Sequence, residues 1–140
     1  MNGERDESRV RDAMVPDPHS LEAGASAQEA GEALNRPEVR SVLVCDDGRF
    51  VGVITRKTLV REIVAAGLDP RTTRLSEIVE VPNATIDSQM SLTDAFAFLE
   101  EGDFERVPVV DHGKLVGVLS RSSVRRRLAE DDPPPENELE

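Results

Sequence analysis

A chain of 140 residues has room for one compact domain or for two small units sharing a core, which excludes a large enzyme. Its net charge of −11 disfavours binding along a phosphate backbone, and with no Trp, no Tyr and four Phe it lacks the aromatic platforms on which bases stack. A single cysteine, Cys45, excludes an intrachain disulfide and a cysteine metal cluster. No apolar run nears the ~20 residues of a membrane span and no apolar leader follows Met1, so a cytoplasmic chain with no membrane and no nucleic-acid partner is expected.

In chain order, the polar residues 1–8 read as a disordered tail. The loop-like AMVPDP stretch carries Val15 and Pro16, and Ser20–Leu21 suggests a short strand. Ser26 with Glu29 three residues on has the capping-box pattern of a helix start, and Ala27, Ala30, Gly31 and Leu34 recur at helical spacing. SVLVC at 41–45 and FVGVIT at 50–55 are β-branched strands joined by Asp47-Gly48, whose glycine supplies the positive φ of a tight hairpin. A second helix starts after Thr55 and runs through Leu59 and Ile63, with Gly67 suited to its C′ position.

The same order then recurs. IVEVPN carries Val81 and Pro82, and Thr85-Ile86 suggests a short strand. Ser91 and Asp94 open a helix over Leu92, Ala95, Phe96 and Leu99; RVPVV and LVGVLS flank His112-Gly113; a last helix passes Val124 and Leu128. The acidic, proline-rich 130–140 reads as a second disordered tail. Residues 10–64 align on 75–129 at a constant offset of 65 without a gap, with 12 identities in 55 pairs, 8 of them between positions 42 and 56. The expected organisation is therefore one repeat over 9–69 and a second over 70–129. Neither buries a core alone. Two sheets packed face to face with helices outside give an α/β molecule with pseudo-twofold symmetry and a cleft on its axis.

The repeat, the capped helix, the hairpin carrying Arg106 to Asp111, and the twin junctions GVITR (52–56) and GVLSR (117–121) resemble a tandem pair of CBS domains, the Bateman module. The resemblance covers roughly residues 9–129 and implies two β-α-β-β-α repeats. It implies adenosine-containing ligands, AMP, ADP, ATP or S-adenosylmethionine, in clefts between the repeats, and frequent homodimers through the helices. In the family a Thr or Ser follows a Gly and two apolar residues and contacts phosphate or ribose, and an Asp three residues later holds the ribose hydroxyls. Thr55 and Ser120 match the hydroxyl, whereas the acid's positions hold Thr58 and Ser123. By position the adenine would lie against Val15 and Pro16 in one copy and Val81 and Pro82 in the other.

Thr55 and Ser120 serve equally as helix caps or as caps that also touch a ligand. Arg56 and Arg121 place a cation in the first turn of a helix, against the macrodipole, as an anion site would; the alternative is that they curl into solvent or pair with carboxylates. Lys57 adds a third charge in the first copy, while Arg121, Arg125, Arg126 and Arg127 could face an acidic partner or a polyphosphate, although three neighbouring arginines spread around a helix and read first as a solvated face. Gly52 and Gly117, inside strands, require something to approach closely, the partner repeat before a ligand. His19 and His112 are turn residues, Cys45 a small buried one, and no nucleophile, base or metal motif is present, so no enzyme and no metal site are expected. The expected function is ligand sensing by Thr55, Arg56, Thr58, Ser120, Arg121, Ser123 and the four base-slot residues. The alternative is a degenerate pair, empty of ligand, that serves as a scaffold for dimerisation or for an unknown protein partner.

Overall fold

The computed structural model describes residues 8–131. Its elements are α1 (Val10–Ala13), β1 (Val15–Pro16), β2 (Ser20–Glu22), α2 (Ala27–Leu34), β3 (Val42–Asp46), β4 (Arg49–Ile54), α3 (Arg56–Leu59), β5 (Ile86–Asp87), α4 (Leu92–Gly102), β6 (Arg106–Asp111), β7 (Lys114–Ser120) and α5 (Arg121–Asp131). A π turn, Val60–Val64, prolongs α3, and a 3₁₀ turn covers Leu75–Glu77. Of the tails expected over 1–8 and 130–140, residues 1–7 and 132–140 lie outside the described residues, whereas Glu130 and Asp131 belong to α5 and Ser8 O accepts from the Leu92 N–H.

The offset of 65 carries over to the helix caps, the strand pairs and the hairpin turns. Ser26 accepts from the Glu29 N–H and Ser91 from the Asp94 N–H, capping α2 and α4. β2 pairs in parallel with β3 through Leu21 and Val44, and β5 with β6 through Ile86 and Val109, so each helix is a crossover between parallel strands. Both hairpins turn on two residues of positive φ: Asp47 at 53° and Gly48 at 86°, His112 at 54° and Gly113 at 83°. That pair is the type I′ requirement, which matches the right-handed twist of the strands. Gly67, at φ 72°, ends the α3 helix in a Schellman turn, with Leu68 N–H on Ile63 O and Gly67 N–H on Val64 O.

Two compact units result, and they do not coincide with the contiguous repeats. The copy-one unit is His19–Asn83 with Gly113–Leu115: β2, α2, β3, β4, α3 and the 3₁₀ turn. The copy-two unit takes the described residues before His19, Ala84–His112 and everything from Val116: α1, β1, β5, α4, β6, most of β7 and α5. Each unit thus holds the leading segment of the other repeat. Val10 N–H donates to Met90 O (2.9 Å) and Leu92 N–H to Ser8 O (2.9 Å); equivalently, Leu75 N–H donates to Ala25 O (2.9 Å) and Ala27 N–H to Thr73 O (2.8 Å).

The cores follow the same exchange. Val10 is fully buried with Ile86, Leu92, Leu99, Val109 and Leu119, and Leu75 with Ala30, Leu34, Val44, Ile54 and Ile63. Each transplanted side chain stabilises its host unit by about 1.5–3 kcal/mol. The approach explains the strand glycines. A Cβ at Gly52 would strike Glu80 O and lie 2.6 Å from Val79 Cγ2; one at Gly117 would lie 2.5 Å from Met14 Sδ and 2.8 Å from Val15 O. What approaches both glycines is the leading segment of the other repeat.

Candidate functional site

Each junction begins where a central strand ends and a helix starts. In the copy-one unit, Thr55 Oγ1 accepts from the Thr58 N–H at 3.2 Å, Thr58 Oγ1 accepts from the Thr55 N–H at 3.1 Å, and the two hydroxyls lie 3.0 Å apart. This is a capping box built from two threonines, and Thr58 is 0% exposed. In the copy-two unit, Ser120 Oγ accepts from the Ser123 N–H at 3.2 Å and lies 2.8 Å from Ser123 Oγ. The positions that lack an acid are thus used to close the helix cap, fully in one unit and half-buried in the other.

The arginines that follow turn away from their own helix start. Arg56 Nη2 donates to Leu34 O (2.6 Å) and Arg36 O (2.7 Å), so its charge sits on carbonyls at and just beyond the end of α2. Arg121, its side chain 13% exposed, reaches Glu100 (3.5 Å), Asp103 (3.2 Å) and Glu105 (2.8 Å) around the end of α4. The hydrogen bond to Asp103, with the charge of Glu105 and the bond to Glu100 behind it, holds its pKa above the ordinary arginine value. In both units, then, the hydroxyl caps the following helix and the arginine clamps the end of the preceding one.

The base-slot residues are brought to these junctions by the exchange. Val15 pairs with Val118 and Pro16 with Gly117, so the segment leading into the first repeat lies along β7, which runs to Ser120. Glu80 pairs with Val53 by two backbone bonds, Val53 N–H to Glu80 O (2.8 Å) and Glu80 N–H to Val53 O (3.0 Å), two residues before Thr55. The sequence groups Val15 and Pro16 with Thr55, and Val81 and Pro82 with Ser120; the structure groups them the other way round. The offset also registers Val15 on Glu80 and Pro16 on Val81. Val15 is 64% and Val81 85% exposed, apolar side chains on an extended edge.

Two residues beside the junctions, Arg61 and Ser122, escape the sequence reading, and a third, Arg126, is read there only as one of several arginines on the last helix. Arg61 forms an ion pair with Glu80, tying α3's π turn to the leading segment. Arg126 stands at the position of Arg61 in the other copy, and this pair is one of the 12 identities, the signal that could have drawn attention to it. Ser122, exposed, lies 3.4 Å from the Ser120 hydroxyl and occupies the place of Lys57.

Away from the junctions, a groove of about 450 Å³ runs over α2 and α3 of the copy-one unit, lined by Ala27, Gly31, Leu59, Ile63, Val64 and Pro70 among others. It contains no sequence-predicted site residue. Burial pushes the Cys45 thiol pKa up, a hydrogen bond with Ser20 opposing and the charge of Glu22 adding to it, so the thiol is held neutral. Among the described residues no group of three or more His, Cys, Asp or Glu could hold a metal ion, and no helix is long and apolar enough to cross a membrane.

The model of the CBS domain family matches residues 10–65 and again 75–130. Hypoxic response protein 1 of Mycobacterium tuberculosis is 29% identical over 102 residues, 72% of this chain and 71% of its own. The crystal structure of Hypoxic Response Protein I with two coordinated zinc ions superposes with a TM-score of 0.71 at 25% identity, over 86% of this chain and 98% of that one. CBSX2 in complex with AMP superposes with a TM-score of 0.67 at 26% identity, over 88% and 97% of the two chains. With two family matches at the offset found in its own sequence, and with the mixed α/β fold of these structures, the chain belongs to the CBS-domain family as a CBS pair, the Bateman module.

Proposed function

We propose that the chain is a regulatory, non-catalytic module that senses an adenosine nucleotide or a similar anionic metabolite, as the AMP complex of CBSX2 suggests. The observation that carries this reading is the exposed apolar edge, Val15-Pro16 or Val81-Pro82, laid beside a capped strand–helix junction in each unit. Such an edge offers backbone groups and apolar side chains to an adenine. The hydroxyls of Thr55 and Ser120, each with a second lone pair beyond its capping bond, face the ribose or phosphate. In this reading Arg56, Arg121, Thr58 and Ser123 position the junctions and do not grip the ligand themselves, because their polar atoms are engaged within the protein. Binding shifts the population of states that a partner reads, by the ligand's differential affinity for them. Thermal-shift titration with AMP, ADP, ATP and S-adenosylmethionine tests it: a melting temperature that rises with concentration is expected. No shift with any of them at millimolar concentration contradicts it.

The engagement of both arginines and of Thr58 favours a second reading, a scaffold without ligand. It predicts a chain whose melting ignores every nucleotide. In either reading the surface for a second copy is the α2–α3 face, where Val60, Val64 and Leu68 are exposed around the apolar groove. A dimer by light scattering, lost in Val64→Glu, is expected. The zinc ions of Hypoxic Response Protein I are not carried over, since no matching donor set is found among the described residues.

A further inference from the structure

The copy-one unit carries an ion pair that the copy-two unit lacks, and the difference comes down to one carboxylate. Arg61 and Arg126 are identical residues, each six positions beyond its capping hydroxyl, Thr55 or Ser120. Glu80 and Val15 are equivalent too, each paired with the residue two positions before that hydroxyl, Val53 or Val118. In the copy-one unit Glu80 reaches Arg61 and joins the helix to the leading segment. In the copy-two unit Val15 offers no carboxylate, and Arg126 is exposed with no ion-pair or hydrogen-bond partner among the described residues. Its neighbours on α5 are all engaged: Arg121 by three carboxylates, Arg125 by Glu100 and the face of Phe96, Arg127 by Asp12 O and Asp131. Arg126 stands one helical turn beyond the exposed Ser122, whose hydroxyl lies 3.4 Å from that of Ser120, and a guanidinium there with no partner among the described residues is a place where an anion from outside can be taken.

We infer that the chain has one open anion site, in the copy-two unit at Arg126 with Ser120, Ser122 and the Val15 edge, and that Glu80 fills the equivalent place at Arg61. The ligand class is a small molecule with an apolar ring for the Val15-Pro16 edge and a phosphate or carboxylate for the guanidinium, which takes such groups through a two-pronged fork. Glu80, tethered beside Arg61, competes with any ligand at high effective concentration, so the copy-one site is closed by its own chain. This rests on the nucleotide-sensing reading and specifies which of the two junctions responds and why.

Calorimetric titration of the full chain tests it, with AMP, adenosine and inorganic phosphate as probes. One AMP per chain is expected, weakened about tenfold or more in Arg126→Ala by loss of the charged fork, with adenosine binding as weakly to the wild type. Glu80→Gln should add a second AMP per chain. Arg126→Ala should melt with the wild type, since its guanidinium has no partner among the described residues. Two AMP per chain in the wild type, or one AMP whose affinity ignores Arg126→Ala, overturns the inference and leaves nucleotide sensing standing. No heat with AMP in wild type and Glu80→Gln alike overturns the inference, and if ADP, ATP and S-adenosylmethionine are silent as well, nucleotide sensing falls with it.

Discussion

Arg56 and Arg121 read differently in one dimension and in three. Along the chain each is a cation in the first turn of a helix, where it opposes the dipole and invites an anion. In space each lies at the end of the helix before, on the carbonyls of Leu34 and Arg36 or among Glu100, Asp103 and Glu105, where its charge is favourable. Pairing with carboxylates was one of the two readings the sequence left open, and Arg121 takes it; which partners each arginine meets was not legible, because helix ends that meet only in the folded chain cannot be paired from spacing. Arg56→Ala should therefore cost about 1.5–3 kcal/mol, read from the urea midpoint, with Lys a poor rescue because a point charge does not span two carbonyls. Ser88 offers the opposite case. Its hydroxyl is buried with no partner among the described residues, and the first copy has Ala23 there. Ser88→Ala should raise stability by about 1 kcal/mol, since an orphaned hydroxyl costs about that much in desolvation. Cys45 keeps its proton to higher pH in the folded chain than in the unfolded one. Its contribution to stability is thus complete below the unfolded thiol's pKa of about 8.5 and fades as pH rises through the folded value. A thiol reagent at pH 8 should label the native chain slowly and the denatured chain at once.

The elements themselves were written plainly in the sequence. Both capping serines, both hairpins with their two residues of positive φ, and the Schellman glycine sit where the spacing places them, because each is decided by a few neighbouring residues. The short leading strands read as 20–21 and 85–86 are Ser20–Glu22 and Ile86–Asp87, one residue adrift, as ends without caps tend to be. The leading segments are where local reading fails. Nothing near Val10 or Leu75 says that its core lies in the other repeat, since a buried apolar residue specifies an environment and not a partner. The glycines held the clue, as sites of close approach. Gly52→Ala should cost about 1–3 kcal/mol by forcing Glu80 off β4, measured by thermal melting, whereas Gly48→Ala meets no neighbour and suffers only its positive φ.

For the whole molecule, the exchange makes the two units interdependent in sequence. A chain begun at His19 loses Val10 and the β1 partner of β7, so the copy-two unit should lose its cooperative melting although all of its own repeat remains. Circular dichroism of that truncated chain checks this, and an unchanged transition would contradict it. The exchange also carries the functional claim, because it is what lays an apolar edge beside each capped junction. The most direct test of that claim is amide chemical-shift mapping of the full chain during an AMP titration. The account predicts perturbations gathered at Met14, Val15 and the Gly117–Ser122 stretch, strongest near Arg126. Spectra that do not move at saturating AMP, or that move only along the α2–α3 groove, would contradict it.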